Sequence, residues 1–182
     1  MSICQLNNLL TIAISAALEA GAEIMRIYND PSQDFGIERK ADNSPVTLAD
    51  KAAHNCIVHH LEQTGIPILS EEGAHLPYEE RTPWHRLWVV DPLDGTKEFI
   101  KKNGEFTVNI ALVEVGIPVL GVIYLPATEA LYTGIVGEGA WRILSKGRIK
   151  ERLPIEGAVG SGAGAFTMPT TVSSSSVQID DY

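Results

Sequence analysis

Leu87-Trp88-Val89-Val90-Asp91-Pro92-Leu93-Asp94-Gly95-Thr96-Lys97-Glu98-Phe99 reads as an apolar strand that delivers its carboxyl end into an acidic turn. Residues 87–90 have the β-branched and aromatic make-up of a buried strand. Pro92 and Gly95 punctuate a tight turn, which is expected to bring Asp94 back beside Asp91. Two carboxylates packed so closely repel unless a cation sits between them, and hard oxygen donors suit Mg²⁺. The carbonyl of Leu93 lies between them as a further donor. Gly95 and Thr96 open a short helix, whose free N–H groups can receive a phosphate. An ordinary reading stands beside this one, since Asp-Gly is a common turn and Asp94 serves equally as an N-cap.

Upstream, Glu71-Glu72 follows the short apolar run at 66–69, again at the carboxyl end of a strand. If the two strands are neighbours, Glu71 faces Asp91 and Asp94 across one cleft, with carboxylates that share an ion within roughly 4–5 Å of one another. The alternative is a solvated acidic loop continuing to Glu79-Glu80. Asp50 is a third candidate. It closes Thr47-Leu48-Ala49-Asp50, which has the form of a capping box and needs no catalysis to explain it.

Around these segments the hydrophobic period changes once. Leu6, Ala13, Ala17, Gly21, Ile24 and Tyr28 recur at helical spacing until Asp30-Pro31, and a second helix is expected over 48–63 with Gly65 as its stop. Between them, residues 40–45 carry turn chemistry at nearly every position. From 66 onward short apolar runs at 87–90, 108–115, 119–125, 131–136 and 140–144 predict hairpins. The fold class is therefore α+β, two N-terminal helices packed on a mainly antiparallel sheet.

The 182 residues carry a formal charge of −9, with 45% apolar residues and mean hydropathy near zero. That excludes a disordered chain, and it argues against a nucleic-acid polymer as partner because nothing offsets phosphate charge in bulk. The N-terminal apolar run is broken by Gln5, Asn7, Asn8 and Thr11, so neither a signal peptide nor an integral membrane segment is expected. Cys4 and Cys56, together with five histidines lacking ligand spacing, predict no disulfide and no zinc site. His59-His60 falls late in a helix, where the dipole favours it.

Lys40-Ala41-Asp42-Asn43-Ser44-Pro45-Val46-Thr47-Leu48-Ala49-Asp50, then Ile68-Leu69-Ser70-Glu71-Glu72, then Asp91 to Phe99, appear in one order. In that order they resemble the inositol monophosphatase superfamily of Mg²⁺-dependent, lithium-sensitive phosphatases. The Lys40–Pro45 segment and Lys97-Glu98-Phe99 favour its bisphosphate nucleotidase branch. The resemblance implies the N-terminal part of a layered αβαβα sugar-phosphatase fold. It makes Glu71, Asp91, the Leu93 carbonyl and Asp94 metal ligands. Asp50 and Thr96, with Glu71, become the catalytic residues that polarise an attacking water. Glu71, Leu93, Asp94, Gly95 and Thr96 line the substrate's phosphate. The implied partner is a small phosphorylated nucleotide, adenosine 3',5'-bisphosphate, cleaved to AMP and phosphate in the cytoplasm, at most peripherally on the inner membrane face. An inositol-phosphate phosphatase and an inactive remnant that binds Mg²⁺ weakly are the competing readings, and oligomeric state is left open.

The family pattern covers residues 1–152 and would continue into a second half with a Trp-Asp motif. No Trp-Asp occurs in this sequence, and residues 153–182 contain neither Lys nor Arg and show no period. A truncated or frameshifted copy with a flexible, non-family tail is the expectation.

Overall fold

Small side chains set how closely the first two helices approach. The computed structural model describes residues 1–32, 34–40, 42, 44–74, 76–144 and 149–153. Helix α1 (Ile3–Tyr28) starts at a Ser2–Gln5 capping box and buries Ala13, Ala16, Ala17, Ala20 and Gly21 with Leu6, Ile24 and Ile27. By length and composition α1 could cross a membrane; here that apolar stripe is packed against helix α2 and the sheet. Gly21 lets it lie flat, because a Cβ there would stand 2.3 Å from the Tyr124 ring. Gly21→Ala is expected to lower stability by about 1–3 kcal/mol, the usual cost of overpacking, despite alanine's better helix propensity. A thermal melt checks this, and an unchanged Tm would mean that the ring yields freely.

A short antiparallel pairing flanks the polar stretch. β1 (Glu38–Arg39) pairs antiparallel with β2 (Pro45–Val46), and the Lys40 N–H donates to the Ser44 carbonyl. Helix α2 (Leu48–Leu61) then begins at the expected capping box and runs into a 3₁₀ turn, Glu62–Thr64, which Gly65 ends in the left-handed conformation.

The remaining strands form one seven-stranded sheet in sequence order. They are β3 (Ile68–Ser70), β4 (Arg86–Asp94), β5 (Thr107–Glu114), β6 (Ile117–Leu125), β7 (Ala130–Ile135), β8 (Gly139–Leu144) and β9 (Ile149–Leu153). Only β3 and β4 run parallel, with the short helix α3 (Tyr78–Arg81) in their connection. Every later pair is antiparallel. The α+β class with a mainly antiparallel sheet is what the pattern predicts. A shared core joins Ala16, Ala20 and Ile24 of α1 and Ala53, Ile57 and Leu61 of α2 to Trp88, Val90, Ile110, Leu112 and Val122 of the sheet.

Two expectations change. β9 is an additional strand, which reaches Leu153, paired with Ala140. Its alternation is hidden by charge: Lys150, Glu151 and Arg152 sit in a row, and Glu151 is 2.5 Å from Arg142 of β8. Among the described residues β9 is the last strand of the sheet, and charge on such a strand is a common guard against edge-to-edge pairing. Residues 154–182, on which the flexible-tail expectation rests, lie outside the described residues.

The second change concerns β4, which does not stop at Asp91. It continues through Pro92 to Asp94, and its register with β5 shifts from Asp91 opposite Asn109 to Asp94 opposite Thr107. Three residues on β4 thus span two on β5, the count of a β-bulge. Helix α4 (Thr96–Ile100) follows at once, anchored by Phe99. That ring is fully buried, with its centroid 5.0 Å from Phe35, 5.3 Å from Tyr28 and 5.4 Å from Phe106.

Candidate active site

In a regular strand Asp91 and Asp94 would point to opposite faces, because side chains alternate with period two. The bulge adds one residue and restores parity. Asp91 and Asp94 then share the face of Asn109 and Thr107, and the Asn109 amide donates to Asp94 at 3.3 Å. A bulge, rather than the expected tight turn, therefore brings the two carboxylates together. Gly95 is needed directly after it: its φ is +94°, and a Cβ would stand 2.8 Å from the Glu105 carbonyl.

The parallel pairing of β3 with β4 supplies the third carboxylate. Ser70 lies opposite Val90, and the Glu71 N–H donates to the Val90 carbonyl, so Glu71 emerges level with Asp91. The Glu71 carboxylate lies close enough to Asp91 for its charge to act on it. Burial first, then the charges of Glu71 and Asp94, push Asp91 well above the usual carboxylate range. Burial, followed by the Glu71 charge, raises Asp94 as well.

The three carboxylates are neighbours, Glu71 and Asp94 both acting on Asp91. Among the described residues, the group of metal-ligating side chains with all donor atoms within 4.8 Å of one another is Glu19, Cys56 and His60. Lys40 pairs with both Glu71 and Glu72 beside the acidic trio. Its ammonium lies 2.7 Å from Glu71 and 2.6 Å from Glu72. Burial disfavours that ammonium, but the two carboxylates outweigh burial and hold it protonated.

Helix α2 brings Asp50 to the same place. One carboxylate oxygen accepts from the Thr47 N–H at 2.7 Å and the Thr47 hydroxyl at 2.6 Å. The other accepts from the Thr96 hydroxyl at 3.0 Å, across 46 residues of sequence. Asp50 thus caps its own helix and reaches the next element, a double use of one side chain. Burial raises its pKa, against the hydrogen bonds from Thr47 and Thr96. The Thr96 oxygen also lies 3.3 Å from the Leu93 carbonyl.

Asp50, Glu71, Asp91, Leu93, Asp94, Gly95 and Thr96 therefore meet at the carboxyl ends of β3 and β4. Sequence reasoning assigned no role to Lys40 or Asn109. Asn109 had a signal: it is a polar residue in a strand otherwise rich in Ile, Ala, Leu and Val, where asparagine is disfavoured. Lys40 had none, because its partners lie 31 and 32 residues away. Ser70 is held by His54 Nδ1 at 2.8 Å. A cleft of about 510 Å³ opens beside this pair, lined by Val58, Glu62, Pro67 and Leu76.

A hard divalent cation fits these donors. Three carboxylates and a backbone carbonyl are oxygen ligands without nitrogen or sulfur, and burial, with the charge of neighbouring carboxylates added to it, pushes Asp91 and Asp94 upward, a cost that a bound cation would relieve. With no metal added, stability is expected to fall as pH rises above the ordinary carboxylate range near 4. Between the unfolded and the raised folded pKa the native state holds more protons than the unfolded chain. Melts at pH 5.5 and pH 8 check this, and a higher Tm at pH 8 would contradict it.

The inositol monophosphatase family model matches residues 5–179. The 3'(2'),5'-bisphosphate nucleotidase CysQ of Shigella flexneri is 52% identical over 128 residues, spanning 69% of this chain and 51% of that protein. Its counterpart in Escherichia coli K12 is 51% identical over the same shares. Among solved structures, CysQ from Bacteroides thetaiotaomicron superimposes with a TM-score of 0.72 at 48% identity, covering 84% of this chain and 60% of that one. The extragenic suppressor protein SuhB from Bartonella henselae gives a TM-score of 0.67 at 31% identity, covering 74% and 52%. The chain spans about half the length of the curated relatives it matches.

Proposed function

The chain belongs to the inositol monophosphatase family, and we propose that its site is that of a Mg²⁺-dependent phosphatase acting on adenosine 3',5'-bisphosphate, releasing AMP and phosphate. The observation that carries this reading is the convergence of Glu71, Asp91 and Asp94 with the Asp50–Thr96 hydrogen bond at one end of the sheet. The 52% identity to bisphosphate nucleotidases supports the nucleotide over inositol phosphate.

Glu71, Asp91, the Leu93 carbonyl and Asp94 would hold the cation, which when bound lowers the pKa of water and stabilises charge on phosphoryl oxygens. The chain's own work is positional. Thr96 donates to Asp50, which leaves the hydroxyl oxygen's lone pairs to accept from a water. Asp50, with a raised pKa, is suited to take that proton through Thr96 as the attack proceeds. Lys40 holds Glu71 and Glu72 in place and offsets part of the acidic charge. Gly95 and Thr96 turn the backbone so that the first N–H groups of α4 can face a phosphate. The free thiols of Cys4 and Cys56 suit a cytoplasmic protein.

Mg²⁺-dependent phosphate release from adenosine 3',5'-bisphosphate, compared with inositol 1-phosphate, tests the assignment. Faster release from the nucleotide supports it, and preference for the inositol ester overturns the substrate.

A further inference from the structure

Glu19 of α1 and Cys56 and His60 of α2 bring one carboxylate oxygen, one thiol sulfur and one imidazole nitrogen within 4.8 Å of one another. Cys56 and His60 are four residues apart, so they share one face of α2. Glu19 meets them from the neighbouring helix, and His60 Nε2 already lies 2.9 Å from its carboxylate. The position is separate from the acidic cluster: Cys56 and His60 stand six and ten residues beyond Asp50, roughly 9 and 15 Å along the helix axis.

We propose that Glu19, Cys56 and His60 form a second metal site, one that takes a zinc-class divalent cation and ties α1 to α2. The donor set decides the class. Sulfur and imidazole ligands select Zn²⁺ or its close relatives and are poor partners for Mg²⁺. A tetrahedral ion with bonds of about 2.0–2.3 Å sets its ligands roughly 3.4–3.7 Å apart, a rotamer adjustment from the present spacing. Three protein ligands leave the fourth position to water. Glu19 is largely exposed and His60 partly so, which gives the ion a way in. Burial, with the charges of Glu19 and Glu23, holds the Cys56 thiol protonated; on metal binding that proton leaves to solvent and the sulfur binds as thiolate. Sequence reading passes over this trio because Glu19 precedes Cys56 by 37 residues, a separation that no local motif spans.

Co²⁺ serves as the spectroscopic probe and Zn²⁺ as the stabilising ion. The purified chain should develop a thiolate-to-cobalt charge-transfer band saturating at one equivalent. Zn²⁺ at ~100-fold above its Kd should raise Tm by roughly 5–10 °C. Both effects should survive Cys4→Ser and Asp91→Asn, weaken in Glu19→Gln and vanish in Cys56→Ser and His60→Gln. Alkylation of the unsubstituted chain, mapped by mass spectrometry, provides a readout that needs no variant to fold: Zn²⁺ should protect Cys56 and leave Cys4 reactive. A charge-transfer band that persists in Cys56→Ser, or equal alkylation of Cys56 with and without Zn²⁺, would overturn the site.

Discussion

Replacing Asp91 with asparagine is expected to stabilise the metal-free protein while costing it at least ~100-fold in Mg²⁺ affinity. Asp91 is almost fully buried, and its carboxyl is held far above its ordinary pKa by burial and by Glu71 and Asp94. Each pKa unit of such a shift corresponds to about 1.4 kcal/mol of unfavourable interaction with the ionised form. Asparagine keeps the shape and the acceptor for the Leu93 N–H, which Asp91 Oδ1 receives at 3.2 Å. A gain of about 1–2 kcal/mol, or roughly 2–8 °C in Tm, should follow at pH 8. Loss of a direct ligand should exceed the 10–100-fold that supporting residues of metal sites typically cost. Calorimetric Mg²⁺ titration with parallel melts reads both. A variant that loses stability without metal would show that the buried carboxyl is favourable in itself.

Much of this was legible locally. The Thr47–Asp50 capping box, the strand at 87–90 and the three acidic motifs all follow from residues within a few positions of one another. What the chain hides is long-range or compensated. Pro92 reads as a turn, yet the strand passes through it, because a bulge leaves the extra residue outside the ladder. Local pattern also says nothing of the Lys40 contacts with Glu71 and Glu72, which bring together residues 31 and 32 positions apart. β9 was obscured because Lys150, Glu151 and Arg152 are consecutive and put charge on both faces of the strand. The site's membership was therefore readable, while the means of assembling it was not.

The second large effect concerns the water-handling pair. Built into a protein of the relatives' full length, Thr96→Ala is expected to lower kcat by ~10²-fold, and Asp50→Asn by ~10²–10⁴-fold, the range for a lost general acid–base contact. Asp50 also caps α2, so a stability loss of about 1 kcal/mol should accompany its replacement. Two controls separate the roles. Thr96→Ser keeps the hydroxyl and should restore most of kcat. Thr47→Ala removes the hydroxyl that caps the helix without touching Thr96, and should cost stability more than turnover. If Thr96→Ala and Thr96→Ser lose activity equally, the hydroxyl is not what matters, and the Asp50–Thr96 bond is structural only.

The central claim is that a hard cation belongs among Glu71, Asp91, Leu93 and Asp94. Crystals of this chain grown or soaked with Mn²⁺, which scatters anomalously and shares the oxygen preference of Mg²⁺, locate it directly. An anomalous peak within about 2.3 Å of carboxylate oxygens of Asp91 and Asp94 and of the Leu93 carbonyl is the predicted result. Saturating Mn²⁺ with no peak there, or with its peak only at Glu19 and His60, would contradict it.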